Sequence, residues 1–336
     1  MTPAGDDSSA SPAAPMAGAS LSAAAATHTL PIGTRLKDYQ IDGVIGEGGF
    51  GIVYLATDIA LERRIAIKEY LPSSMASRLS GSLTVVVRSA SHRETFQLGK
   101  DSFVKEARLL AHFDHPALVK VHRYWEENET AYMVMPYYVG PTLKRTLADL
   151  GRAPTETEVM AWLAPLMEAL EVLHRDHCYH RDIAPDNILI TAGGPLLLDF
   201  GAARQVIGDM THALTVILKP GYAPIEQYGE IPGMTQGAWT DIYALASVLY
   251  MAVTGRKPVA SVERLIEDRL RPASEVAAGR YSARFLAAVD AALALYPKHR
   301  PQTIAELRAL LGMAAPGQAA PARLAAAASA APTPTA

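Results

Sequence analysis

The sequence predicts an α+β fold, with strands and one helix first and a larger, mainly helical part after them. Three observations lead to this. The hydrophobic pattern shifts along the chain from short alternating runs to stripes at helical spacing. Two tails rich in Ala and Pro bracket a single globular stretch. Within that stretch, glycine-rich, lysine-ended and aspartate-bearing segments follow one another in order. At 336 residues the chain can bury a large core, and one two-lobed domain or two ordinary domains fit that length.

Residues 1–34 carry few large apolar groups. Burial there cannot offset the entropy of ordering, so this segment reads as a disordered tail. Residues 39–44 and 52–56 read as strands flanking a glycine turn, and residues 64–69 and 130–137 as further strands. Residues 102–113 read as a helix with Phe103, Leu109, Leu110 and Phe113 at its apolar positions.

The clearest helix begins at Thr155, which forms a capping box with Glu158. Val159, Trp162, Leu163, Leu166, Leu170 and Leu173 then make one stripe, read as core. Pro165 inside it removes a backbone donor and should bend the helix. Residues 195–198 read as a short strand leading to Asp199. Residues 241–254 form an apolar helix stopped by Gly255, with Pro258 beyond. From about residue 313 the tail composition returns, so residues 313–336 read as a second disordered tail.

A long connection, residues 70–100, separates the strand ending at Lys68 from the helix carrying Glu106. Residues 84–88 read as a strand that would make a hairpin over the small sheet. The connection reads as a surface insertion that props the helix, the alternative being a docking or dimer surface.

Composition excludes some function classes. A net charge of −3 and a pI near 6.4, with no basic run, give no sign of nucleic-acid binding. No stretch is long and apolar enough to span a membrane, and neither tail has the basic cluster a lipid surface requires. The Ala-rich run at residues 17–26 follows Asp6 and Asp7 with no basic residue, unlike a secretory signal. A lone cysteine, Cys178, excludes an intrachain disulfide and fits a reducing compartment, so a cytoplasmic protein is expected.

Four segments carry chemistry. The first, Gly46-Glu47-Gly48-Gly49-Phe50-Gly51, lies between two strands. Glycines let the backbone approach phosphate oxygens because no Cβ intervenes. Alone the pattern is equally a plain glycine hairpin, and the following strand argues against a dinucleotide-binding fold. The second, Ile65-Ala66-Ile67-Lys68, ends an apolar strand on a lysine for which Glu106 is an available partner. Such a pair would hold Lys68 toward the α and β phosphates of a nucleotide. The third runs from His180 to Asn187: Asp182 would orient an acceptor hydroxyl, and Asn187 would bind Mg²⁺. The fourth is Asp199-Phe200-Gly201, whose carboxylate would bind Mg²⁺ bridging the phosphates. The order and spacing of all four are far more specific than any one of them.

With these motifs the chain resembles a eukaryotic-type (Hanks-type) serine/threonine protein kinase in its bacterial form, over about residues 35–312. The resemblance extends to Pro220-Gly221-Tyr222-Ala223-Pro224-Ile225-Glu226, to Trp239-Thr240-Asp241, and to Arg300 in Lys298-His299-Arg300-Pro301. It implies a two-lobed fold: a small antiparallel sheet with one helix over about residues 35–138, and a mainly helical lobe over about 139–312. It implies ATP and Mg²⁺ (or Mn²⁺) as cofactors, and protein substrates. It implies that Asp241 braces the loop of His180 and Arg181, that Glu226 pairs with Arg300, and that Phe200 is structural. Met135 would be the gatekeeper, with Pro136 and Tyr138 at the hinge. Val53, Ala66 and Leu189 would sandwich the adenine. Thr215, with Thr211 the weaker candidate, would carry an activating phosphate facing Arg181.

One position departs from the resemblance. The family's lysine two residues after the catalytic aspartate is here Ala184. Lys219 stands where the family places a threonine near that aspartate. The expectation is a relocated charge, with Lys219 supplying the ammonium beside Asp182. The alternative is a pseudokinase acting as a nucleotide-binding scaffold or interaction module.

Overall fold

The computed structural model describes residues 28–79, 81–199, 218–229 and 234–313. The first part is a six-stranded antiparallel sheet in the order β1-β2-β3-β4-β8-β7. Its strands are β1 (Arg35–Leu36), β2 (Tyr39–Gly48), β3 (Gly51–Asp58), β4 (Arg63–Tyr70), β7 (Arg123–Glu127) and β8 (Thr130–Pro136). β5 (Ala76–Arg78) and β6 (Val85–Val87) form a separate hairpin, followed by α1 (Arg93–His112).

The second part holds α2 (Leu143–Asp149) and α3 (Glu156–Arg175), then the small hairpin of β9 (Ile188–Thr191) and β10 (Gly194–Leu197). After residue 217 come α4 (Ala238–Thr254), α5 (Ser261–Ile266), α6 (Ala273–Val276), α7 (Ala283–Ala292) and α8 (Ile304–Leu311). α4 is buried along nearly its whole length, including the polar Thr240, Asp241 and Ser247. It is therefore the central post of the helical part, with α3 and α7 packed beside it.

Local chemistry explains the best-read elements. Thr155 Oγ1 accepts the Glu158 N–H, and the Glu158 carboxylate accepts the Thr155 N–H, completing the capping box. α3 runs through Pro165 as one helix, and Trp162 of the expected stripe is only half-buried. Gly255 ends α4 at φ 70°, a left-handed conformation open to glycine.

Two expectations change. The composition places residues 28–34 in the N-terminal tail, yet Leu30 is in the core and its N–H donates to Tyr54 Oη at 3.1 Å. Gly33 N–H also bonds Ile41 O, so this short segment joins the sheet. The helix expected at residues 102–113 begins at Arg93. The reason is aromatic: Phe96 packs on Tyr70 at 5.2 Å, as Phe103 does at 5.9 Å, and Tyr70 Oη donates to Phe96 O. That contact recruits the preceding turns into the helix.

The insertion is tied to the sheet by a sealed polar knot. Arg78 of β5 places Nη2 2.7 and 2.5 Å from the two Glu69 carboxylate oxygens, and Tyr54 Oη donates to the same carboxylate at 2.8 Å. Glu69 is 0 % exposed. Arg78 also donates to His28 O and Leu83 O, fastening the N-terminal segment and the hairpin together. Burial pushes the Tyr54 hydroxyl well above its ordinary range, with Glu69 adding to the effect. Successive strand residues face opposite sides, so Glu69 anchors the insertion while Lys68 points the other way.

Candidate active site

Each motif is delivered by a different element. β2 and β3 pair Gly48 with Gly51, bringing the glycine segment back as a hairpin. At Gly51 an added Cβ would lie 2.2 Å from Glu69 O, so close backbone approach demands glycine there. At Gly46 and Gly49 an added Cβ would meet nothing within 4 Å, and at Gly48 only Gly51 O at 3.7 Å. Packing therefore leaves those three unconstrained, and the space beside them is open.

Lys68 sits in the middle of the sheet, opposite Val53 on β3 and Met133 on β8. Its Nζ is 2.8 Å from Asp199 Oδ1, 3.7 Å from Glu106 Oε1 of α1, and 5.7 Å from the centre of the Phe103 ring. The shorter pairing is thus with Asp199, which the sequence did not suggest.

The loop from His180 to Asn187 hangs from α4. The buried Asp241 carboxylate accepts the His180 and Arg181 N–H groups, each at 2.8 Å, and lies 2.8 Å from His174 Nε2 of α3. Burial pushes the Asp241 acid upward, but the His174 bond and neighbouring groups outweigh it and hold it below the carboxylate range. Arg181 is held at φ 64° and Asp199 at φ 29°. Left-handed backbone at non-glycine residues is strain that surrounding structure must maintain, and it gathers at functional sites.

His180 is fully enclosed. Its Nε2 donates to Leu198 O at 2.8 Å and its Nδ1 accepts the Asp182 N–H at 3.3 Å, the pattern of a neutral ring. Burial accordingly depresses its basicity, against the pull of Asp241 and Asp182.

Asn187 Nδ2 donates to Asp182 O at 2.9 Å and to Asp182 Oδ2 at 2.6 Å. Asn187 therefore keeps its amide oxygen for another partner. Lys219 Nζ lies 3.5 Å from Asp182 Oδ1 and 3.2 Å from Asp186 Oδ1. Ala184 is completely buried. At the far end of the same segment, Arg300 holds Glu226 through two bonds of 2.7 and 3.2 Å. Thr240 donates to Glu226 at 2.9 Å, and Gln227 donates to Arg181 O at 2.8 Å.

One cavity of about 430 Å³ collects these groups beneath the glycine hairpin: Gly46, Gly48, Gly51, Val53, Lys68, Glu106, Asn187, Asp199 and Lys219 all line it. Among its oxygen donors, the Asn187 amide and the Asp199 carboxylate are hard ligands that suit a divalent cation sharing phosphate oxygens. Ala66 and Met135 face each other across β4 and β8, and Leu189 lies on β9 opposite Leu196. These three, with Pro136 and Tyr138, do not line that cavity. Phe200, Gly201, Thr211 and Thr215 lie outside the described residues. Among the described helices none is long and apolar enough to cross a membrane.

Sequence reasoning missed His174, Gln227 and the Asp186 partner of Lys219. The only signal for His174 was a histidine at the end of a core helix; Gln227 and Asp186 offered none, because their partners are distant in the chain.

The profile of the protein kinase domain family matches residues 39–302. The chain is 31 % identical over 284 residues to a serine/threonine-protein kinase, PknB, of Mycobacterium leprae, covering 81 % of this chain and 42 % of that protein. It is 33 % identical over 235 residues to the serine/threonine-protein kinase PrkC of Bacillus subtilis, covering 68 % of this chain and 32 % of PrkC. It thus spans less than half the length of these curated relatives. Among solved structures, PpkA-294 in its apo form matches with a TM-score of 0.78 at 48 % identity, over 84 % of this chain and 99 % of that one.

Proposed function

Because the chain belongs to the protein kinase domain family, we propose that it transfers the γ-phosphate of ATP to serine or threonine hydroxyls of protein substrates. The family uses ATP and a divalent metal in general; for this chain the proposed metal is Mg²⁺, held by Asn187 and Asp199. The observation that carries the reading is the convergence of Lys68, Asn187, Asp199 and Lys219 on one cavity, with Asp182 bonded to two of them.

The proposed division of labour follows from the geometry. The glycine hairpin leaves room above the phosphates, and Lys68, backed by Glu106, orients the α and β groups. Val53, Ala66 and Leu189 would enclose the adenine, with Met135 behind it and Pro136 and Tyr138 along the hinge. Asp182 orients the acceptor hydroxyl and takes its proton, while Asn187 fixes the Asp182 carboxylate. Mg²⁺, when bound, supplies charge neutralisation at the phosphates. His180, Asp241 and Arg181 hold the loop, and Glu226 with Arg300 holds the far end of the activation segment. The lobes would meet near residue 138, and the buried lone cysteine fits a cytoplasmic setting.

Lys219 is proposed to replace the missing lysine. Its ammonium, beside Asp182 and at the cavity wall, would neutralise charge developing on the transferring phosphoryl group. Removing one preorganised group of this kind typically lowers kcat roughly a hundred- to a thousand-fold. The test measures phosphate transfer for Lys219→Ala, Lys219→Thr, and Lys219→Thr combined with Ala184→Lys. An unchanged kcat in Lys219→Ala refutes the replacement. Melting curves accompany the double variant, since Ala184 is enclosed.

Ala184 also favours a second reading, a nucleotide-binding scaffold. ATP turnover with a generic protein acceptor, compared with Asp182→Asn, separates the two. Bound nucleotide with no transfer in wild type establishes the scaffold.

A further inference from the structure

A second cavity, of about 590 Å³, opens beside the first. Gly49, Phe50, Asp186 and Lys219 line both, so the two communicate at the point where Asp182 faces its partners. Asp182 itself lines neither cavity but reaches both through Lys219, so a polypeptide bringing a hydroxyl toward Asp182 would pass this groove.

Its charges are unequal. Among the described lining residues, Lys144, Lys219 and Lys257 contribute three ammonium groups against one carboxylate, Asp186. Asp186 is paired with Lys219 at 3.2 Å, so these two charges offset each other and the remaining described charges are those of Lys144 and Lys257. Lys144 and Lys257 are exposed, and neither has an ion-pair partner among the described residues. Among the described residues the groove therefore offers two cations without an ion-pair partner, in a lining that also holds the apolar Leu218, Tyr222 and Met251.

Lys219 and Lys257 are carried by segments that pack against each other. Gly221 sits at φ 90°, and an added Cβ there would lie 2.6 Å from Pro258 O and 2.9 Å from Lys257 Cγ. The segment of Lys219 and the segment of Lys257 are thus in backbone-close contact. Tyr222 Oη donates to Met251 Sδ at 2.7 Å, and Ser261 Oγ to Ala223 O at 2.8 Å, locking the same wall to α4 and α5.

We propose that this groove selects polypeptide segments whose acceptor serine or threonine is flanked by aspartate or glutamate, with Lys144 and Lys257 as the selecting residues. The inference rests on the kinase reading only in calling the segment an acceptor. Basic flanks are disfavoured because they would face the two like charges of Lys144 and Lys257.

The test uses three fluorescent peptides of equal length with one central threonine, flanked by Glu/Asp, Gln/Asn or Lys/Arg. Binding to the full chain is read by anisotropy with a non-hydrolysable ATP analogue, and phosphate transfer is read separately with ATP. At low salt the acidic peptide should bind about tenfold tighter than the basic one, the size expected for two exposed charge pairs. That difference should shrink in 0.5 M salt, a concentration at which the screening length is only about 4 Å. Lys144→Glu/Lys257→Glu should reverse the order, with melting curves to confirm its fold. Equal binding of the three peptides, tighter binding of the basic one, or an unreversed order in the folded double variant overturns the proposal. Selective binding of the acidic peptide without any transfer supports the groove and overturns the kinase reading alone.

Discussion

The two ends of the segment from Leu218 to Tyr228 are both held by ion pairs, and the pairs are built oppositely. At the far end the Arg300 and Glu226 side chains are both 0 % exposed and meet through two bonds. Arg300 also donates to Ala294 O and Leu295 O and lies 4.6 Å from the Tyr243 ring centre, while Thr240 donates to Glu226. At the near end Lys219 is 22 % exposed and Asp186 49 %, and the ammonium is shared between two carboxylates. A sealed bidentate pair fixes backbone position. An open, shared one leaves a cation able to change partners as phosphate charge arrives. The same segment is thus anchored at one end and adaptable at the other.

Breaking the sealed end should have the largest effect. Arg300→Met leaves the Glu226 carboxylate buried without its partner, a change that costs about 3–5 kcal/mol. Urea denaturation should show a loss of that order, together with loss of activity. Stability within about 1 kcal/mol of wild type would mean that the pair is not what anchors the segment.

Lys219→Ala attacks the open end and should show the reverse signature. Stability should change by less than about 1 kcal/mol, while kcat falls roughly a hundred- to a thousand-fold. Equal damage to stability and rate would erase the contrast between the two ends.

A smaller effect should appear with pH. His180 is neutral and its basicity is depressed by burial, so the unfolded chain takes up a proton more readily than the folded one. Stability from this group is complete above an ordinary histidine pKa of about 6.5 and is lost as pH falls below it toward the folded value. His115 and His122, also depressed by burial, act in the same direction. Urea midpoints should decline between pH 7 and pH 5.5, and His180→Asn should make the decline shallower. A midpoint that rises on acidification would contradict the neutral-ring assignment.

The smallest change is expected for Asp186→Asn. It removes half of an exposed pair, worth at most about 1 kcal/mol and weakened further by salt. Its use is to sharpen the role of Lys219, which would then have Asp182 as its remaining carboxylate partner. Transfer to basic-flanked peptides should not improve, because the ammonium groups of Lys144 and Lys257 remain in the groove and one carboxylate is lost from it.

Sequence by itself determined what depends on neighbours along the chain. The Thr155–Glu158 capping box, the stop at Gly255 and the glycine hairpin between β2 and β3 are short-range patterns, and the structure holds them as such. The start of α1 was misjudged because Phe96 belongs to the helix only through its contact with Tyr70 on another element. Residues 28–34 look like tail until Tyr54 supplies an acceptor for Leu30. Only tertiary structure decided that Lys68 sits closer to Asp199 than to Glu106, that Arg78 seals Glu69, and that Lys219 divides its charge between Asp182 and Asp186. The physical reason is range. Backbone propensity and periodicity act over a few residues, whereas an ion pair acts over a few ångströms between side chains that folding alone brings together.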